Sequence, residues 1–157
     1  MTTENCINNL IRVGQVSSIN AATGAVRVTF NDKDALVSAE LPVLNRGSQA
    51  VKDYWLPDVG EQVVCVFLPN GKSLTTGFVL GSFFSSVDRP PTSNLKMRII
   101  DFGDGTNISY DRMSKALVIT CSGTITIDSK TTIDGRVFLS HKHTGVESGS
   151  GSTGGVS

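Results

Sequence analysis

The stretch Leu117-Val-Ile-Thr-Cys-Ser-Gly-Thr-Ile-Thr-Ile-Asp-Ser-Lys-Thr-Thr-Ile-Asp-Gly-Arg-Val-Phe-Leu-Ser-His-Lys-His143 alternates in polarity along its whole length. Odd positions as far as Leu139 are apolar or glycine except Ser129 and Thr131, and even positions are polar except Val118 and Phe138. A β-strand sends successive side chains to opposite faces. The alternation outruns an ordinary strand of about 5–6 residues, so it predicts an extended β-structure with one apolar face. His141 and His143, the two histidines of the chain, continue that face, and Lys142 points the other way. By itself His-x-His is a weak motif, more often two exposed polar residues at a strand end than a ligand pair.

A single strand of this kind buries nothing, and Val146 and Val156 are the last apolar residues after it. The missing surface must come from other chains, for which closed rotational symmetry is the usual arrangement. If three copies wrap this face around one axis, each inward isoleucine gains about 1.5–3 kcal/mol over exposure. The same axis would gather three copies each of His141 and His143. Six imidazole nitrogens fit octahedral coordination of a first-row transition ion better than zinc, which takes four ligands in structural sites.

The remaining composition limits the alternatives. A chain of 157 residues predicts one domain, or a compact domain with an appendage. Lys+Arg and Asp+Glu are both 14, so the basic excess typical of nucleic-acid binders is missing. No apolar run is long enough for a membrane helix. The N-terminal Met1-Thr-Thr-Glu-Asn-Cys6 has neither the basic start nor the apolar stretch of a signal peptide, which predicts synthesis and retention in the cytoplasm until something else exports the protein. Cys6, Cys65 and Cys121 are odd in number and widely spaced, as core thiols would be.

Along the chain, residues 3–10 suggest a short helix capped by Thr3. Val13, Val16 and Ile19 mark a first strand, with a turn at 20–24. Val26, Val28 and Phe30 alternate with Arg27 and Thr29 in a second strand, and 31–34 turn again. Leu36 to Leu44 reads as a third strand, and Gln62 to Leu68 as a fully buried one by its continuous apolar run. Pro69 to Lys72 reads as a hairpin turn before a last strand, Leu74 to Phe84. Five strands in this space fit an OB-type Greek-key barrel over 11–84. Residues 85–96, with Asp88-Arg-Pro-Pro91, read as a stiff linker. Met97 to Phe102, Ile108 with Tyr110, and the long alternation then form an intertwined β-helix over 97–140, with breaks at Gly103-Asp-Gly105 and at 111–115.

Several segments resemble the baseplate assembly protein V family, the central spike proteins of contractile phage tails and phage-tail-like bacteriocins. Trp55-Leu-Pro57-Asp-Val59-Gly60-Glu61-Gln-Val63 resembles the family's W-x-P-x-V-G-E-x-V segment. Gly77-Phe-Val-Leu-Gly81-Ser resembles the strand that closes its OB barrel. Asp104-Gly-Thr106 with Ile108, Tyr110 and Asp111 resembles the start of its triple-stranded β-helix. His141-Lys-His143-Thr-Gly145-Val146 resembles its spike apex. From about residue 11 onward the resemblance implies an all-β chain: an OB-fold barrel followed by a trimeric triple-stranded β-helix needle. It implies one iron ion per trimer held by His141 and His143 of each chain, at the head of a 141–157 apex and tail. The tail from 144 on has five glycines, and it reads either as a disordered end or, by the resemblance, as a segment packed back on the needle. The implied partners are two further copies, the baseplate hub protein and the outer membrane or envelope of the target cell, which the metal-bound tip punctures. The implied location is the tail baseplate of a virion or bacteriocin particle made in the bacterial host's cytoplasm. Some relatives carry a lysozyme domain between barrel and needle, where this chain has only Ser85–Asn94.

Two other classes are weaker. Glycoside hydrolysis needs a carboxylate pair around a cleft, whereas the acidic residues here are scattered over turns and outer faces. A catalytic zinc needs three protein ligands and an open position, and one chain offers two histidines. The sequence therefore predicts no enzyme. An OB-fold module binding nucleic acid or glycan uses basic grooves and stacked aromatics, against 6% aromatics and balanced charge here.

Overall fold

In a computed structural model, residues 10–68, 75–129, 131–133 and 136–137 are described. The helix expected over 3–10 and the hairpin turn expected over 69–72 lie outside them, apart from Leu10. The chain divides into two units, Met1–Pro90 and Pro91–Ser157, between two residues of the stretch read as linker.

The first unit is a six-stranded antiparallel sheet. It comprises β1 (Ile11–Asn20), β2 (Ala25–Phe30), β3 (Leu36–Val37), β4 (Leu41–Pro42), β5 (Gln62–Phe67) and β6 (Gly77–Ser82). The order is β3-β2-β1-β5-β6, with β4 also on β2. Alternation drives this unit as expected. Val26, Val28 and Phe30 of β2 point inward and pack with Val16, Leu41, Val63, Cys65, Phe67 and Val79 as one core. Phe30 and Phe67 meet edge to face, ring centroids 5.8 Å apart, a favourable aromatic geometry. Burial pushes the Cys65 thiol up to about 11, consistent with an inert core cysteine.

Two expectations are corrected. The third strand does not run from Leu36 to Leu44. Thr29 pairs with Val37 and Val26 with Leu41, so this segment holds one residue more than β2 opposite it, a bulge. Ser38 makes the break possible. It is buried, its backbone N–H bonds Val28 O at 2.9 Å, and its hydroxyl accepts the Val28 N–H at 3.0 Å in place of a ladder partner. Beyond the break, Val43 forms a parallel bridge with Val79, and the Leu44 N–H donates to Val79 O at 2.9 Å. The second correction concerns β5, which is not buried on both faces. Val63, Cys65 and Phe67 face the core, while Val64 and Val66 are only half-buried on the outer side.

The Trp55–Val63 segment owes its pattern to one turn. The Glu61 N–H donates to Asp58 O at 3.1 Å, the Glu61 carboxylate accepts the Asp58 N–H at 2.7 Å, and Gly60 between them has φ +95°. A non-glycine residue at that third turn position would be strained. The turn is tied to β1 by Gly60 N–H to Val16 O and Gln15 Nε2 to Gly60 O.

The second unit is a meander of β7 (Met97–Asp101), β8 (Asn107–Asp111) and β9 (Ala116–Thr120), followed by the short antiparallel pair β10 (Thr132–Ile133) and β11 (Arg136–Val137). Within one chain, the strand that opens the long alternation at Leu117 ends at Thr120. The Ser122 N–H and hydroxyl are committed to Thr106 and Asp104, which draws the chain off the ladder. No described strand of the same chain lies alongside 121–129 to restore pairing.

Replacing Ser38 by Ala tests the bulge. It should leave the Val28 N–H buried without its acceptor and cost roughly 1–3 kcal/mol, read as a lower denaturant midpoint at unchanged slope.

Candidate functional site

Cross-strand register defines the faces of the second unit. Ile100 pairs with Ile108 and Ile108 with Ile119, and Arg98 pairs with Tyr110 and Tyr110 with Leu117. Directly paired residues share a face. One face thus carries Ile100, Ile108, Tyr110, Leu117 and Ile119, with Arg98 at its margin. Leu117 and Ile119 are on the apolar side that the alternation predicted.

That face is open to solvent. Leu117 is 65% exposed and Ile119 54%, while Ile125 and Ile127 farther along are also more than half exposed. No described residue from Pro91 onward is buried. A three-stranded sheet needs a covered apolar face for stability, and within this unit the described chain does not supply the cover. Sequence reading missed Ile100 and Ile108 as members of this surface, because the strand register that brings them beside Ile119 has no local signature.

The corner between β7 and β8 is held by side chains. Gly103 and Gly105 have φ of +80° and +89°. The Asp104 carboxylate accepts the Thr106 N–H at 2.8 Å and the Ser122 hydroxyl at 3.2 Å, and the Ser122 N–H donates to the Thr106 hydroxyl at 3.2 Å. These residues join the turn to the chain leaving β9. The Thr106 hydrogen bonds, backbone first, hold the Asp104 carboxyl below its ordinary value of 3.8.

His141 and His143, the metal ligands expected from sequence, lie outside the described residues. Among the described residues no group of three or more His, Cys, Asp or Glu is arranged to hold a metal ion. Cys121 is half-buried and Cys65 sits in the first unit's core. No helix among the described residues is long and apolar enough to cross a membrane.

In an alignment of 128 residues that covers 76% of this chain, the sequence is 29% identical to the Spike protein of Escherichia phage P2. It spans 58% of the length of that relative. No family model matches the chain. The similarity supports a relationship with phage spike proteins.

The Asp104 staple gives a pH prediction. Because its carboxyl is depressed in the fold, its contribution is present above about 3.8 and is lost as pH falls through the lower folded value. The protection factors of the Thr106 and Ser122 amides should drop in that acid window, and Asp104→Ala should show the lowered protection already at neutral pH.

Proposed function

We propose that this chain is the membrane-piercing central spike of a contractile tail baseplate, working as a homotrimer with a metal-bound tip. The observation that carries the reading is the second unit's apolar face, exposed on one copy with no described residue from Pro91 onward buried. Three copies closing this face around an axis would bury it and leave no free sheet edge, which is what a rigid needle requires. Similarity to the phage P2 Spike protein supports the same assignment.

In this reading residues 11–84 form an OB barrel, 85–96 a linker, 97–140 the intertwined β-helix and 141–157 the apex and tail, after a short segment 1–10. The parallel contact of Val43 with Val79 supports the barrel, since it brings β6, the last strand of the sheet, to the end of β4. The barrel is the collar that joins the trimer to the hub protein. The needle meets the target cell's outer membrane or envelope when the sheath contracts, and the protein resides in the tail baseplate of a virion or bacteriocin particle. The role is mechanical, without an enzymatic step and without nucleic acid as a partner. At the point, His141 and His143 of three chains hold one iron ion through neutral imidazoles, clamping the place where three strands would otherwise splay.

Two experiments test this. Ile125→Asp puts an unpaired charge at the axis in each copy and should abolish assembly, whereas Thr124→Asp on the opposite face should leave the trimer intact. Equal damage from both would reject the parity. Elemental analysis should give one metal per three chains, lost when both histidines become Ala and retained in Lys142→Ala. Metal occupancy should fall as pH drops below about 6.5, where imidazole protonates. One metal per single chain would reject the axial site.

A further inference from the structure

We propose that the outer wall of β1, β5 and β6 is a second contact between copies, packing on the same wall of its neighbours around the axis. The inference rests on the trimeric reading above and names a surface of the first unit. On β1 the usual polarity is inverted: Arg12 is turned inward, 6% exposed, paired with Asp32 and 5.3 Å from the Phe30 ring centroid. Its neighbours Ile11 and Val13 face solvent, 62% and 53% exposed.

Register extends this surface across three strands. Ile11 pairs with Val66, and Val66 with Phe78. Val13 pairs with Val64, and Leu80 lies on the same outer side as Phe78, 45% exposed. The patch ends at the Gln15–Gln62 pair. The outer side of β2, by contrast, carries Arg27 and Thr29. A strand such as β5, apolar on both sides, belongs between two covered faces, and a contiguous exposed apolar patch marks a contact surface.

The absence of charge argues for a second copy as the occupant. A wall that faces a rotation axis meets its own repeats, so any charge on it would meet its like. The six residues of this wall carry none, and the one arginine of the region is drawn inside. Tethering by a short linker to a common trimer raises the effective concentration of the barrels to the millimolar range, where a modest apolar contact suffices.

The test uses the full chain and hydroxyl-radical footprinting, with Leu80→Glu as the variant. Leu80 points away from the core, so the variant should keep native exchange protection at Val63 and Val79. Wild-type trimer should show Phe78 labelled severalfold more slowly than the variant, with both remaining trimeric. A wild-type trimer in which Phe78 labels as fast as in the variant overturns this contact and leaves the spike reading standing. Protection that survives Leu80→Glu but vanishes when residues 2–9 are deleted also overturns it, assigning the cover to the chain's own N-terminal segment. A monomeric wild type overturns both readings.

Discussion

The second unit depends on burial that the described residues of one copy do not provide. Ile100, Ile108 and Ile119 stand in one row across three strands, with Tyr110 and Leu117 beside them, and all are left in contact with water. Full burial of such a side chain is worth about 1.5–3 kcal/mol, and backbone ordering costs about 1–2 kcal/mol per residue. A meander with no buried residue therefore lacks the main term that holds folded chains together. The first unit is the opposite case, organised around a closed core from Val16 to Val79. Stability of the two units thus has different sources: the six-stranded sheet relies on its own interior, and the second unit, in the proposed reading, relies on association.

This division gives the small features their meaning. The corner built from Asp104, Thr106 and Ser122 fixes the reversal between β7 and β8 and redirects the chain after β9. A sheet without a core has few other means to set its geometry, and local side-chain hydrogen bonds take that part. In the first unit, Ser38 does comparable work inside a bulge, supplying an acceptor where the strand lifts away from β2. Both are cases of a short polar side chain substituting for a missing ladder bond.

Much of this was legible from residues alone. The alternation Val26, Val28, Phe30 located β2, and the parity of Leu117 and Ile119 identified the apolar side of β9. The turn glycines at 103 and 105 marked the corner. What escaped sequence reading depended on register or on partners. The continuous run Gln62–Leu68 looked like a doubly buried strand, because apolar residues on both faces do not say which face the same chain covers. Ser38 gave no warning of a bulge, since a serine inside an alternating stretch reads as an outward polar position. The alternation beyond Thr120 predicted extended β-structure with one apolar face, and such structure is assigned as strand only beside a pairing neighbour. Among the described residues, 121–129 have none within the chain. His141 and His143 were singled out by continuing the apolar parity, and they fall outside the described residues.

The central claim is that the apolar face of the second unit is an interface between identical chains, and native mass spectrometry of the wild-type 157-residue chain tests it most directly. The account predicts a single species of three chain masses that persists on dilution to low micromolar concentration. A stable, folded species of one chain mass under the same conditions would contradict it.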